Sequence, residues 1–411
     1  MEYSKLKQKL NKYNQTQILD FYNTCDDNKK EKLERQINRI DFEQILQLYK
    51  SIGRKVDFKS NVIEPISYID KQKLSPENYE KFYNIGVENI KNNGYAVVTM
   101  AGGQGTRLGH TGPKGTFDIG LKSHKSIFEI LTDSLKIVCN KYGVVIPWYI
   151  MTSEENNDQT VSFFEEHNYF GYDKSKVKFF KQGKLPMIDE YGKILINEEG
   201  IIKEAADGNG GIYKSMLKNG IIEDMKKNNV EWVFVGPVDN VLIKMVDPVL
   251  LGITIDKNVL AAGKSTIKRN PSEKVGVFCK KNGKPSVVEY MEISKEMSEK
   301  VDENGELLFG ESHINCNLFN IRAIENVANK NLPYHVAHKK AKYLNNKGQL
   351  INPEDPNAYK FESFIFDAFD VLDDMAVLRV NREEEFAPVK NAEGEDSPET
   401  ARALYLKYNS K

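Results

Sequence analysis

The feature that most restricts the fold of this chain is a series of short apolar runs separated by helix-like segments. Tyr95-Ala-Val-Val-Thr-Met100 runs straight into glycines, as a buried parallel strand would. Similar runs recur at Val144–Met151, Val177–Phe180, Trp232–Val235 and Leu260–Ala262. Ser126–Tyr142 and Tyr213–Asn228 between them read as helices. This alternation predicts a doubly wound α/β core. From Lys274 onward shorter, hairpin-like strands are expected, with Lys281-Asn282-Gly283 as one turn. They would form a mixed-sheet region inserted into, or following, the first half. Ahead of the core, residues up to about 50 predict helices: Ile18, Leu19, Phe21 and Tyr22, then Ile37, Ile40, Phe42, Ile45, Leu46 and Leu48, recur at helical spacing. Asp41 is placed to cap the helix that begins FEQILQLY. Pro65 and Pro76 make the next stretch irregular, and a further helix is expected over Asn78–Asn92. The polar stretch from Glu393 to Pro398 reads as a loop.

A chain of 411 residues can bury a large core, and its length is that of two or three domains. The formal net charge is −1, so the basic excess of a non-specific nucleic-acid binder is missing. Any anionic ligand must be met by locally placed Lys and Arg. No apolar run reaches the ~18 residues of a membrane span. The start, MEYSKLKQKLNKYNQ, lacks the apolar stretch of a secretory signal, so a cytoplasmic protein is expected. Cys25, Cys139, Cys279 and Cys316 form no CxxC pair; reduced, mostly buried thiols are expected, and zinc is not. A monomer is compatible with all of this.

Residues 101–115 read AGGQGTRLGHTGPKG. A strand, a glycine loop and then basic residues let backbone N–H groups approach phosphates. Gly102, Gly103, Gly105 and Gly109 remove side chains that would block that approach, and Arg107 and Lys114 supply charge. No Gly-Lys-Ser/Thr closes the loop, so it is not a Walker A loop. Its GxGxxxG spacing also misses the dinucleotide fingerprint.

The combination GGxGTRLGxxxPKG resembles the signature of UDP-sugar pyrophosphorylases, most closely the eukaryotic-type UDP-N-acetylglucosamine pyrophosphorylases. The resemblance continues in order through FFKQGKLP, ADGNGGIYKSM, WVFVGPVDNVLIKMVDP, NPSEKVGVFCKKNGKPSVVEYMEIS, LLFGESHINCNLFNI, LPYHVAHKKAKYL and REEEFAPVKNAEG, and spans roughly Leu10 to Leu406. It implies a Rossmann-like, GT-A-like nucleotidyltransferase core with a mixed sheet and an N-terminal helical region. The expected segmentation is 1–90 helical and pre-catalytic, 91–390 catalytic with sugar-side hairpins, and 391–411 a short tail. The small C-terminal β-domain of the family is expected to be absent.

The same resemblance implies roles. Ala101, Gly102, Gly103, Gly105 and Thr106 would wrap the nucleotide phosphates. Arg107 and Lys114 would stabilise the transition state and the departing pyrophosphate, and Lys390, the third catalytic residue, would contact phosphate from the far side of the cleft. Gln182 would read the uracil edge, a task that suits an amide able to donate and accept. Gly208 would allow close approach of the nucleoside. Asn209, Gly276, Glu289 and Tyr290 would face the sugar, with Gly276 leaving volume for a 2-acetamido group. Where the family carries a sugar-contacting asparagine, an ungapped match finds Cys316, flanked by Asn315 and Asn317, so either neighbour is a candidate. Asp239, just after an apolar strand, would hold Mg²⁺. Its alternative reading is a helix cap, a role assigned instead to Asp247. Lys339 and Lys340 are either phosphate contacts or a solvated face. His335 and His338 lack an evident third metal ligand. The implied reaction joins UTP to N-acetylglucosamine-1-phosphate and releases pyrophosphate. Glucose- or galactose-1-phosphate as acceptor, and a UDP-sugar-using glycosyltransferase, are the alternatives.

Overall fold

The structure, a computed structural model, describes residues 2–53 and 61–410. The chain forms two compact units. One comprises Met1–Val56, Gly183–Gly211 and Leu332–Phe364; the other comprises Asp57–Gln182, Ile212–Asn331 and Ile365–Lys411. These units cross the expected boundaries at 90 and 390.

Among the described residues the larger unit carries eleven strands. They are β1 (Ile63–Pro65), β2 (Ile69–Asp70), β3 (Tyr95–Met100), β4 (Trp148–Thr152), β5 (Val177–Lys181), β6 (Trp232–Pro237), β7 (Ala261–Ile267), β8 (Val277–Lys281), β9 (Lys284–Val288), β10 (Glu311–Asn320) and β11 (Ala376–Arg379). The sheet runs in the order β2-β11-β7-β10-β6-β3-β4-β5, with the β8–β9 hairpin branching from β10. β10 is antiparallel to both β6 and β7, and every other step along that path is parallel. The α/β core with a mixed sheet is therefore present. The carboxyl ends of β3, β4, β5 and β6 share one edge, where ligands of open α/β sheets bind.

The apolar runs became strands because both faces are covered: β3 is buried along its whole length. Two expectations change. The strands beyond Lys274 are not all short, since β10 spans ten residues. The single helix over 213–228 is two, Ile212–Lys218 and Ile221–Lys227, broken where Gly220 takes φ +68°. The helices Pro76–Lys91 and Pro248–Asp256 cross at Gly86 and Gly252. A Cβ at either glycine would stand 2.0 Å or less from a backbone oxygen of the other helix.

The smaller unit packs the helices Tyr3–Lys12, Gln17–Thr24, Asp27–Arg39 and Phe42–Ser51 against distant chain. Leu6, Leu10, Ile18, Leu33, Ile37 and Ile45 share a core with Ile188, Ile194, Ile196, Ile202 and Phe361. Buried Gln15 ties the two parts: its Nε2 donates to the Gly192 carbonyl at 2.8 Å, and its Oε1 accepts from Ile194 N at 2.8 Å. Asp41 caps its helix by accepting from Gln44 N.

The last residues are not only a tail. Ser397 and Thr400 form a capping box at the start of a helix over Pro398–Asn409. Ser-Pro-Glu at 397–399 was the available signal.

Candidate active site

The glycine loop leaves the carboxyl end of β3 and folds back on itself. Gly105 N donates to the Gly112 carbonyl at 2.9 Å, and Lys114 N donates to the Gly103 carbonyl at 3.0 Å. Fully buried Asn156 pins the loop's start. Its Nδ2 donates to the carbonyls of Ala101 at 2.9 Å and Gly103 at 3.3 Å, while its Oδ1 accepts from Ser153 N. Reading the sequence missed Asn156, because the carbonyls it holds, those of Ala101 and Gly103, are remote in sequence.

Within the loop, Gly102 and Gly105 answer to close neighbours. A Cβ on Gly102 would stand 2.7 Å from Gln182 Oε1, and one on Gly105 would stand 2.7 Å from the His110 Cβ. Gly103 has open space where a side chain would be. Thr106 and Arg107 are exposed, and Arg107 makes no ion pair among the described residues. Gln182 follows β5 directly, with its N–H bonded to the Thr152 carbonyl at 2.8 Å. The loop, Asp239 and Gln182 thus leave the parallel strands β3, β6 and β5 at the same edge.

Lys114 closes this arrangement. Its Nζ lies 3.2 Å from Asp239 Oδ2, with the two side chains 16% and 17% exposed. The Asp239 backbone meets the segment that carries Lys390: Val389 N donates to the Asp239 carbonyl at 2.9 Å. Lys390 itself is half-buried, its Nζ 3.7 Å from Asp396 Oδ2.

On the far side of β6, β10 bulges between His313 and Asn317, and Asn315 at the bulge takes φ +57°. Asn315 is half-buried, whereas Cys316 and Asn317 are buried. Burial pushes the Cys316 thiol up to about 12, so it is a packed, protonated thiol. Asn317 Oδ1 pairs with His313 Nε2 at 3.0 Å, and Asn317 Nδ2 is a buried donor without a partner among the described residues. Gly276 and Glu289 flank the open end of the β8–β9 hairpin. A Cβ on Gly276 would stand 2.9 Å from Val287 Cγ1 and 3.2 Å from Glu289 Oε1. The expected empty volume at Gly276 is therefore filled by its own hairpin. Tyr290 is 40% exposed beside it.

Gly208 and Asn209 belong to the other compact unit. Gly208 takes φ +87°, and a Cβ there would meet the Ser363 carbonyl oxygen at 2.2 Å. Backbone packing alone thus demands this glycine, without a ligand. Asn209 is half-buried at the start of a short 3₁₀ turn. In the same unit, Lys339 is exposed at the end of the strand His335–Lys339, and Lys340 follows it, also exposed. His335 packs on Phe364 and His338 stacks on Tyr359. On a strand, residues three apart face opposite ways.

Asp247 caps the helix Pro248–Asp256, as expected, accepting from Val249 N and Leu250 N. It does more. Lys264, 1% exposed on β7, lies 2.8 Å from Asp247 Oδ2 and also pairs with Glu385; Lys71 lies 2.7 Å from Asp247 and 3.3 Å from Glu385. Two lysines and two carboxylates thus meet inside the fold, and a third lysine, the more exposed Lys244, stands 3.7 Å from Glu385 at its rim.

A family model for UTP–glucose-1-phosphate uridylyltransferase matches residues 40–401. The chain belongs to this uridylyltransferase family. It is 40% identical over 356 residues to the UDP-N-acetylglucosamine pyrophosphorylase of Saccharomyces cerevisiae, covering 81% of this chain and 75% of that one. It is 41% identical over 339 residues to UDP-N-acetylhexosamine pyrophosphorylase-like protein 1 of Xenopus tropicalis, spanning 80% of this chain and 66% of the relative's length. The solved uridine diphosphate N-acetylglucosamine pyrophosphorylase of Trypanosoma brucei superimposes with a TM-score of 0.84 at 30% identity, covering 97% of this chain and 83% of that one. Membership in the uridylyltransferase family makes this a nucleotidyltransferase fold, with the glycine loop at its carboxyl edge. No helix among the described residues is long and apolar enough to cross a membrane.

Proposed function

We propose that the chain is a uridylyltransferase that makes UDP-N-acetylglucosamine and pyrophosphate from UTP and N-acetylglucosamine-1-phosphate. The observation that carries this reading is the Lys114–Asp239 pair beside a glycine loop, in a chain 40% identical to the yeast pyrophosphorylase of that name. An oxygen of the sugar phosphate attacks the α-phosphorus of UTP. The bond to the β-phosphate bridging oxygen breaks, and pyrophosphate leaves with the electron pair. The attacking oxygen is already ionised, so no general base is needed. The work of the protein is to hold two polyanions in line and to offset their repulsion.

Each group has a part in that work. Ala101, Gly102, Gly103, Gly105 and Thr106 present backbone to the phosphates, and Gln182 offers its amide to the uracil edge. Arg107 and Lys390 meet phosphate charge, with Lys114 aimed at the charge that grows on the leaving group. Gly208 and Asn209 are assigned to the nucleoside and sugar, and Glu289, Tyr290 and Asn315 to the sugar. Buried Asn317, its amide oxygen held by His313, is assigned to a sugar hydroxyl or carbonyl oxygen through its Nδ2. Mg²⁺ fits Asp239: this cation is usually held by one or two carboxylates and completed by substrate phosphates. When bound, it would withdraw charge from those phosphates. A cytoplasmic location belongs to the proposal, supported by four free cysteines.

The test is pyrophosphate release over a panel of nucleotides and sugar phosphates. UTP with N-acetylglucosamine-1-phosphate should give the highest kcat/KM. A clear preference for glucose- or galactose-1-phosphate would overturn the acceptor. Pyrophosphate release from ATP at a comparable rate would overturn the role of Gln182.

A further inference from the structure

We propose that Asn240 is a positioning residue for the transfer, setting Asp239 and Lys390 in register; this rests on the uridylyltransferase reading above. Asn240 is fully buried. Its side chain nevertheless bonds two segments that each carry a reaction group, besides a contact with the Cys316 thiol on β10. Nδ2 donates to the Glu385 carbonyl at 2.7 Å. Oδ1 accepts from Ala387 N at 2.8 Å and from Leu242 N at 3.2 Å.

The backbone on either side repeats the link. Val241 N donates to the Ala387 carbonyl at 3.2 Å, and Val389 N donates to the Asp239 carbonyl at 2.9 Å. Asn240 and Pro388 face each other in an antiparallel bridge. The chain from Glu385 to Lys390 is therefore laid along the chain from Asp239 to Leu242. A shift of one strip carries the reacting group of the other.

The far end of the strap is also anchored. The Glu385 carboxylate pairs with Lys264 and Lys71, whose second partner is Asp247. Asn240 is the amide that joins this fixed base to the residue beside Asp239. A carboxamide suits the place, because the task needs one donor and one acceptor without charge. Aspartate has the same shape but would turn an oxygen toward the Glu385 carbonyl. Leucine would fill the space and satisfy neither strip.

The test uses the full chain, with kcat, KM for UTP and the Mg²⁺ activation constant measured beside thermal unfolding. Asn240→Asp and Asn240→Ala should each lower kcat roughly 10- to 100-fold while KM for UTP moves less than about threefold, and should raise the Mg²⁺ activation constant. In a Lys390→Ala background, either substitution should cost less than about threefold more, because both act through one geometry. Asn240→Asp keeps the side-chain volume and carries the test if Asn240→Ala does not fold. An unchanged kcat in a folded variant overturns the inference. So does the same fold-loss with and without Lys390, or a lowered unfolding temperature without the kcat and Mg²⁺ effects. Wild-type protein that releases no pyrophosphate from UTP and a sugar phosphate would instead sink the uridylyltransferase reading.

Discussion

Asp239 and Asp247 follow the same strand, and each meets a lysine, yet the two pairs live in different surroundings. Asp239 and Lys114 are 17% and 16% exposed and stand at the strand edge, where a ligand can reach them. Asp247 and Lys264 are 4% and 1% exposed, with Glu385, Lys71 and, at the rim, Lys244 completing the set. A half-open pair costs little to separate, because water solvates the released charges. A sealed pair cannot release either partner without leaving a bare charge in the interior. The first arrangement is suited to trading one cation for another during a reaction. The second is suited to holding a frame still.

Breaking the sealed set should have the largest effect on stability. Lys264→Met keeps much of the volume but takes the one fully buried cation from Asp247 and Glu385, and should destabilise the fold by about 3–5 kcal/mol. Chemical denaturation of the variant measures this; a loss under about 1 kcal/mol would show the set to be hydrated.

Why the two aspartates could be told apart only in part from sequence is physical. The sheet was legible because buried parallel strands need continuous apolar runs, as in Tyr95–Met100. The phosphate loop was legible because close backbone approach demands glycine at fixed spacing. Asp247 was legible as a cap, since Pro248 and an apolar helix follow it. Its charge partners were not: Lys264 lies within AAGKSTI, where one lysine resembles the polar exit of a strand. Asn240 was silent for a similar reason, because its amide bonds backbone atoms of Glu385 and Ala387 far along the chain. The cover for the N-terminal helices was also hidden, because it comes from residues 183–211 and 332–364.

The open pair should invert the pattern. Lys114→Ala should lower kcat roughly 10²-fold, ~3 kcal/mol of transition-state stabilisation. The same change should move folding stability by under ~1 kcal/mol. Steady-state kinetics and denaturation on one preparation give both numbers. A change confined to KM for UTP would make Lys114 a ground-state binder.

A smaller effect separates the sealed set from its buried neighbour His313. Burial alone would raise the Asp247 carboxyl, but Lys264 and Lys71 outweigh it and hold it well below its ordinary 3.8. Its stabilisation is therefore present above about pH 4 and lost as pH falls further. For Lys71, Asp247 and Glu385 outweigh burial and raise the ammonium above its ordinary 10.5. That stabilisation is present below about 10.5 and lost only as pH rises beyond it. Between these limits the set is silent. His313 is not: burial lowers its imidazole from 6.5 to about 4. The unfolded chain takes up that proton first, so stability should fall as pH drops below 6.5, by ~2 kcal/mol at pH 5. His313→Gln should flatten this slope in a pH series of denaturation curves. An unchanged slope would place the acid sensitivity elsewhere.

The claim that Asp239 works on substrate while Asp247 holds the frame meets its most direct test in Asp239→Ala. Pyrophosphate release would be followed across a Mg²⁺ titration, with thermal unfolding measured on the same protein. The expected result is loss of turnover at every Mg²⁺ concentration with an unfolding temperature close to that of the wild type. Near-normal turnover that still follows Mg²⁺ would contradict it and remove Asp239 from the site.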